Sequence, residues 1–71
     1  MNNTVTYTHY SAAMGAMAEI GCTPTEINFV ERNADRGEAI SIIRHSDSAV
    51  VRFVNHYGVE VELETKVMEG V

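Results

Sequence analysis

Apolar and polar positions change rhythm along this chain, and each change marks an element. Thr4 to Tyr10 reads Thr-Val-Thr-Tyr-Thr-His-Tyr. β-branched and aromatic residues dominate, which predicts a first strand. From Ser11 the pattern turns to Ala-Ala-Met-Gly-Ala-Met-Ala-Glu-Ile. Helical spacing gathers Ala13, Ala16, Met17 and Ile20 on one face, with Met14 at its margin. Ser11 is the expected N-cap, and Gly21 the expected residue just past the C-terminus. Thr23-Pro24-Thr25-Glu26 has the residues of a capping box with proline at the first helical position. It predicts a second helix to about Arg32 that buries Ile27, Val30 and Ala34. A hairpin strand turning at 33–37 competes with it, placing Arg32 opposite Glu38 and Val30 opposite Ile40.

The second half reads as three strands: Glu38 to His45, Ala49 to Asn55 and Val59 to Val67. The last hairpin can be taken to its register. A three-residue loop, His56-Tyr57-Gly58, puts Gly58 at a left-handed position. Phe53 then faces Val61, Val51 faces Leu63, Asn55 faces Val59, and Arg52 faces Glu62. A two-residue loop would set Phe53 against Glu62 and Arg52 against Leu63, misplacing both faces at once.

The expected fold is therefore α+β: one small domain over residues 1–71, with an N-terminal strand, one or two short helices and a C-terminal antiparallel three-stranded meander. Val51, Phe53, Val59, Val61 and Leu63 form its inner face, and the first helix covers it with Ala13, Met17 and Ile20. Seventy-one residues make a thin core. The outer face of the first helix is small rather than charged. Ala12, Gly15, Ala18 and Glu19 are accordingly the candidate interface of a homodimer, although alanines also serve a surface helix by propensity alone.

Charge narrows the partners. Ten acidic residues against five basic ones give a net charge of -5. That works against general affinity for nucleic acid or an anionic membrane. No apolar run approaches the ~20 residues of a membrane span. Met1-Asn2-Asn3-Thr4 lacks the basic and apolar character of a secretory signal, so the expected location is the cytoplasm. Cys22 is the sole cysteine, which excludes an internal disulfide and a cysteine-based zinc site.

Candidate chemistry is sparse. His9, His45, His56, Cys22, Ser46, Asp47 and Ser48 are the conceivable catalytic or ligating residues. None shows the spacing of a known site, and Ser46-Asp47-Ser48 reads as a turn. The expectation is no enzyme, no cofactor and no metal. Residues 13–32, with Gly21 at the turn, Thr23 as cap and Ile27 and Val30 as packing residues, resemble the core of the helix-turn-helix family. That resemblance implies a DNA-binding regulator as the alternative function, with Arg32 the basic residue of its recognition helix beside Glu26, Asn28 and Glu31.

The leading expectation is an acidic interaction surface. Glu60, Glu62 and Glu64 alternate with Val59, Val61 and Leu63, which places three carboxylates on one face about 7 Å apart. Glu69 extends the acidic segment. Such a row can be the plain solvent face of an amphipathic strand, or a surface for a basic protein partner, even one that mimics phosphates. Small acidic domains of this kind resemble, in size and charge, the inhibitors made by phages and other mobile elements, anti-CRISPR and anti-restriction proteins among them. The resemblance implies a non-enzymatic module that blocks a target sterically or electrostatically.

Overall fold

The computed structural model describes residues 3–66. In chain order they form β1 (Asn3–Tyr7), α1 (Tyr10–Glu19), α2 (Pro24–Asn33), β2 (Ile40–Arg44), β3 (Ser48–Val54) and β4 (Glu60–Lys66). The four strands make one antiparallel sheet in the order β1-β2-β3-β4. The expected α+β architecture is present. The meander gains the N-terminal strand as its fourth member, and both helices lie on one side of the sheet.

The first strand is shorter than its composition suggests. It ends at Tyr7, and Tyr10 opens α1 instead of closing β1. The reason is tertiary. The Tyr10 hydroxyl donates to the Glu31 carbonyl at 2.6 Å, and the Arg36 guanidinium lies 4.5 Å above its ring. These contacts tie the start of α1 to the end of α2. Ser11 is consequently inside the helix. His9 occupies the N-cap position and contributes no side-chain hydrogen bond.

The other end of α1 follows the sequence closely. Gly21 has φ 96°, its N–H reaches the Ala18 carbonyl at 3.2 Å, and the Cys22 N–H reaches the Met17 carbonyl at 3.0 Å. This is a Schellman ending, in which a left-handed residue lets the last carbonyls find donors. Ala13 and Met17 are fully buried and Ile20 nearly so, while Ser11, Ala12, Gly15, Ala18 and Glu19 are exposed.

The second helix is present and the competing hairpin is not. Thr23 Oγ1 accepts from the Glu26 N–H at 3.1 Å, and Glu26 Oε1 accepts from the Thr23 N–H at 2.8 Å. The pair satisfies two helix-end donors reciprocally. Val30 and Ala34 are buried, and Ile27 packs at the edge of the core.

The last hairpin has the register argued from sequence. Phe53 pairs with Val61, Val51 with Leu63 and Arg52 with Glu62. The Asn55 N–H bonds the Val59 carbonyl at 2.9 Å, and Gly58 has φ 79°. Two details differ. β2 starts at Ile40 rather than Glu38. Val59 precedes β4 and is 55% exposed, so it is not a core residue.

The helical cover is also divided differently from expectation. α1 packs against β1 and β2. It is α2 that reaches β3 and β4, through an edge-on contact of Phe29 with Phe53 (centroids 6.1 Å apart) and a hydrogen bond from Thr65 to Glu26. The Asp35 N–H bonds the Val54 carbonyl at 2.8 Å and fastens the chain leaving α2 to β3. Ile40, Ile42, Ala49, Val51 and Phe53 form the floor of the core below both helices.

Candidate functional site

Among the described residues both helices lie on one side, and none covers the other side of the sheet. Strand pairing determines what stands there. One row reads Thr4, Ile43, Val50, Glu64 across the four strands, and the next reads Thr6, Ser41, Arg52, Glu62. Val54 and Glu60 extend the face on β3 and β4. Ile43, Val50 and Val54 are half-buried, and all three glutamates are exposed. Period-two alternation thus puts two apolar patches, Ile43 with Val50 and Val54 alone, beside an acidic margin on one open surface, with Ser41 and Arg52 between them.

The margin is not uniform. Arg52 holds Glu62 through both Nη2 (2.8 Å) and Nε (2.9 Å). Both side chains are about half exposed (43% and 53%), so this pair contributes only about 0–1 kcal/mol to stability. Its larger effect is to neutralise the middle of the row. Glu60 and Glu64 make no ion pair among the described residues. Glu69 lies outside the described residues. The helix-face candidates Ala12, Gly15, Ala18 and Glu19 lie on the opposite layer, away from the glutamate row, and are all exposed.

The residues with catalytic potential are spread out. His45, Ser46, Asp47 and Ser48 form the β2–β3 turn, closed by a bond from the His45 N–H to the Ser48 carbonyl at 2.8 Å. His9 and His56 belong to the other end of the sheet, where His56 Nε2 sits 3.2 Å from the Arg32 carbonyl. Among the described residues, no three His, Cys, Asp or Glu side chains gather closely enough to hold a metal ion. No helix among them is long and apolar enough to cross a membrane.

One cluster was not legible in the sequence. Glu26 Oε1, already bonded to the Thr23 N–H, also accepts from the buried Thr65 hydroxyl at 2.9 Å. Cys22 is buried beside them. Burial pushes its thiol pKa up, the Glu26 carboxylate adds to that shift, and a hydrogen bond with Thr65 opposes it. A buried, protonated thiol is a poor nucleophile. At pH 8 the native chain is expected to react with a chromogenic disulfide about tenfold or more slowly than the urea-unfolded chain. Glu26→Gln should accelerate the native reaction by removing the neighbouring charge. Equal native and unfolded rates would contradict the buried placement. The linkage has a definite sign. The unfolded thiol titrates near its ordinary 9.0 and the folded one higher. Between those values the unfolded chain binds fewer protons, so this group's contribution to stability is lost as pH rises through that window.

α1 and α2 follow one another through a short turn that holds Gly21 and Thr23. The outward side of α2 offers Thr25, Asn28, Phe29, Arg32 and Asn33 along a shallow groove of about 310 Å³. Comparison with known protein families, with curated proteins and with solved structures finds no match.

Proposed function

We propose that this protein is a non-enzymatic interaction module that blocks a basic protein partner through the open face of its sheet. The observation that carries this reading is the juxtaposition of Glu60 and Glu64, free of ion pairs among the described residues, with the uncovered Ile43, Val50 and Val54. Arginine and lysine side chains suit such a surface, because their aliphatic stems cover apolar strips while their charged ends meet carboxylates. Size and charge fit an inhibitor of the kind that phages and other mobile elements make, with an anti-CRISPR or anti-restriction role. A chain that only occludes a nucleic-acid groove needs a shaped acidic surface and no catalytic apparatus.

The alternative is a DNA-binding regulator that presents the outer side of α2. The groove along Thr25, Asn28, Phe29 and Arg32 favours it, and Glu31 beside Arg32 works against phosphate contact.

One experiment separates the two. The tagged wild-type chain and a Glu60→Lys/Glu64→Lys variant are used to retain macromolecules from the native host at low and high salt. The proposal expects a protein that the wild type retains, that high salt releases, and that the variant loses by tenfold or more. Equal retention by wild type and variant would sink it. Retention of DNA that Arg32→Ala weakens would put the alternative in its place.

A further inference from the structure

The two margins of the sheet differ in kind. β4 carries Glu60, Glu62 and Glu64, and a second copy paired there would set carboxylates against carboxylates. β1 reads Asn-Thr-Val-Thr-Tyr and has no charge, no proline and no bulge. Charges, prolines and bulges are the usual means of keeping an exposed edge from pairing. Among the described residues β1 pairs with β2 alone.

The free groups on that edge can be assigned. The His45 N–H bonds the Ser48 carbonyl, and hydrogen-bonded pairs alternate from there along an antiparallel ladder. Ile43 and Ser41 direct their backbone groups to β3, so Ile42 and Ile40 direct theirs to β1. On β1 the paired groups belong to Val5 and Tyr7. The N–H and C=O groups of Thr4 and Thr6, about 7 Å apart, face outward.

We infer that β1 is a homodimerisation edge, on which a second copy of this chain pairs antiparallel about a two-fold axis at Val5. In that register Thr4 of one copy lies opposite Thr6 of the other, and each such pair exchanges both of its backbone hydrogen bonds. Val5 lies opposite Val5 in the close, non-hydrogen-bonded position, on the helix side of the sheet. Two observations support this occupant. Val5 is 46% exposed, a large apolar side chain at the centre of the edge. It also stands at a cleft of about 290 Å³ between the strands and α1, where Tyr7, Ala16, Ile20 and Ile42 are flanked by the opposite charges of Glu19 and Arg44, and whose mouth the second Val5 would cover. Charge selects the same edge. Two chains of net charge -5 repel, and the neutral strand is where they approach with least opposition. The product is one continuous sheet with an acidic strand at each outer margin.

The inference is independent of the inhibitor reading and is tested on the full chain by sedimentation equilibrium with hydrogen exchange. The wild type is expected at twice the chain mass, with Thr4 and Thr6 amides protected and losing protection on dilution. Val5→Glu places carboxylates against each other across the axis, and Thr4→Pro removes an outward N–H that β2 does not use. Each is expected to halve the mass while leaving far-UV circular dichroism unchanged. A wild type that stays monomeric at its highest soluble concentration overturns the inference. So does a dimer in which Thr4 and Thr6 exchange freely, or one that survives Thr4→Pro, either of which would move the contact to another surface such as α1.

Discussion

Phe53→Ala is expected to cost about 3–5 kcal/mol and to leave most of the chain unfolded at room temperature. Phe53 is the largest of the fully buried side chains and is 1% exposed. It points from β3 into the helical layer, with Val61 beside it on β4 and the edge of Phe29 on α2 above it. Truncation removes the transfer energy of a whole ring and leaves a cavity that the sheet below and the helix above cannot both close. A single core in a chain this short rarely supplies more than about 3–5 kcal/mol in all, so the loss is comparable with the total. Urea unfolding followed by circular dichroism measures it. Phe29→Ala is the internal control. That ring makes the same contact from the other side but is 43% exposed, so its loss should be less than half as large. Equal midpoints for wild type and Phe53→Ala would mean that the core is not centred on β3.

Local rules explain which parts of this fold are legible in the sequence. The β3–β4 register was legible because three independent constraints agreed: a glycine where φ is positive, apolar residues meeting on one face, and Arg52 meeting Glu62 on the other. The start of α2 was legible because Thr23, Pro24 and Glu26 act within four residues of one another. Tyr10 departs from the expected strand for the opposite reason. Its neighbours in sequence favour a strand, and the partners that draw it into α1 are Glu31 and Arg36, more than twenty residues away. The division of the sheet between the helices escaped as well. Amphipathic spacing says which side of a helix is buried but not which strands lie beneath it. The acidic row was visible in the alternation of β4. That it borders the half-buried Ile43, Val50 and Val54 depends on pairing across three strands, and those apolar side chains, on either side of Arg52, give the row a second contact chemistry.

Glu26→Ala should destabilise the protein by about 2–4 kcal/mol, more than a surface glutamate at a helix start normally would. The capping box accounts for about 1 kcal/mol of this. The remainder comes from Thr65, which is 5% exposed and donates to the same carboxylate oxygen. Without Glu26 that buried hydroxyl keeps only the weakly accepting sulfur of Cys22 as a partner, and a group so poorly satisfied costs about 1–3 kcal/mol. Glu26→Gln keeps an acceptor oxygen and should lose less than half as much. Thr65→Val removes the buried donor instead. In the Glu26→Ala/Thr65→Val double variant the two losses should fall short of additivity by about 1 kcal/mol. Thermal unfolding of the four proteins reads the coupling directly. Strict additivity would show that the hydrogen bond between α2 and β4 contributes nothing of its own. The coupling bears on function because Thr65 lies between Glu64 and Lys66 on the strand that carries the acidic row. If this bond anchors that end of β4, amides there should exchange faster in Glu26→Ala than in a cap variant of equal stability that leaves Thr65 its partner.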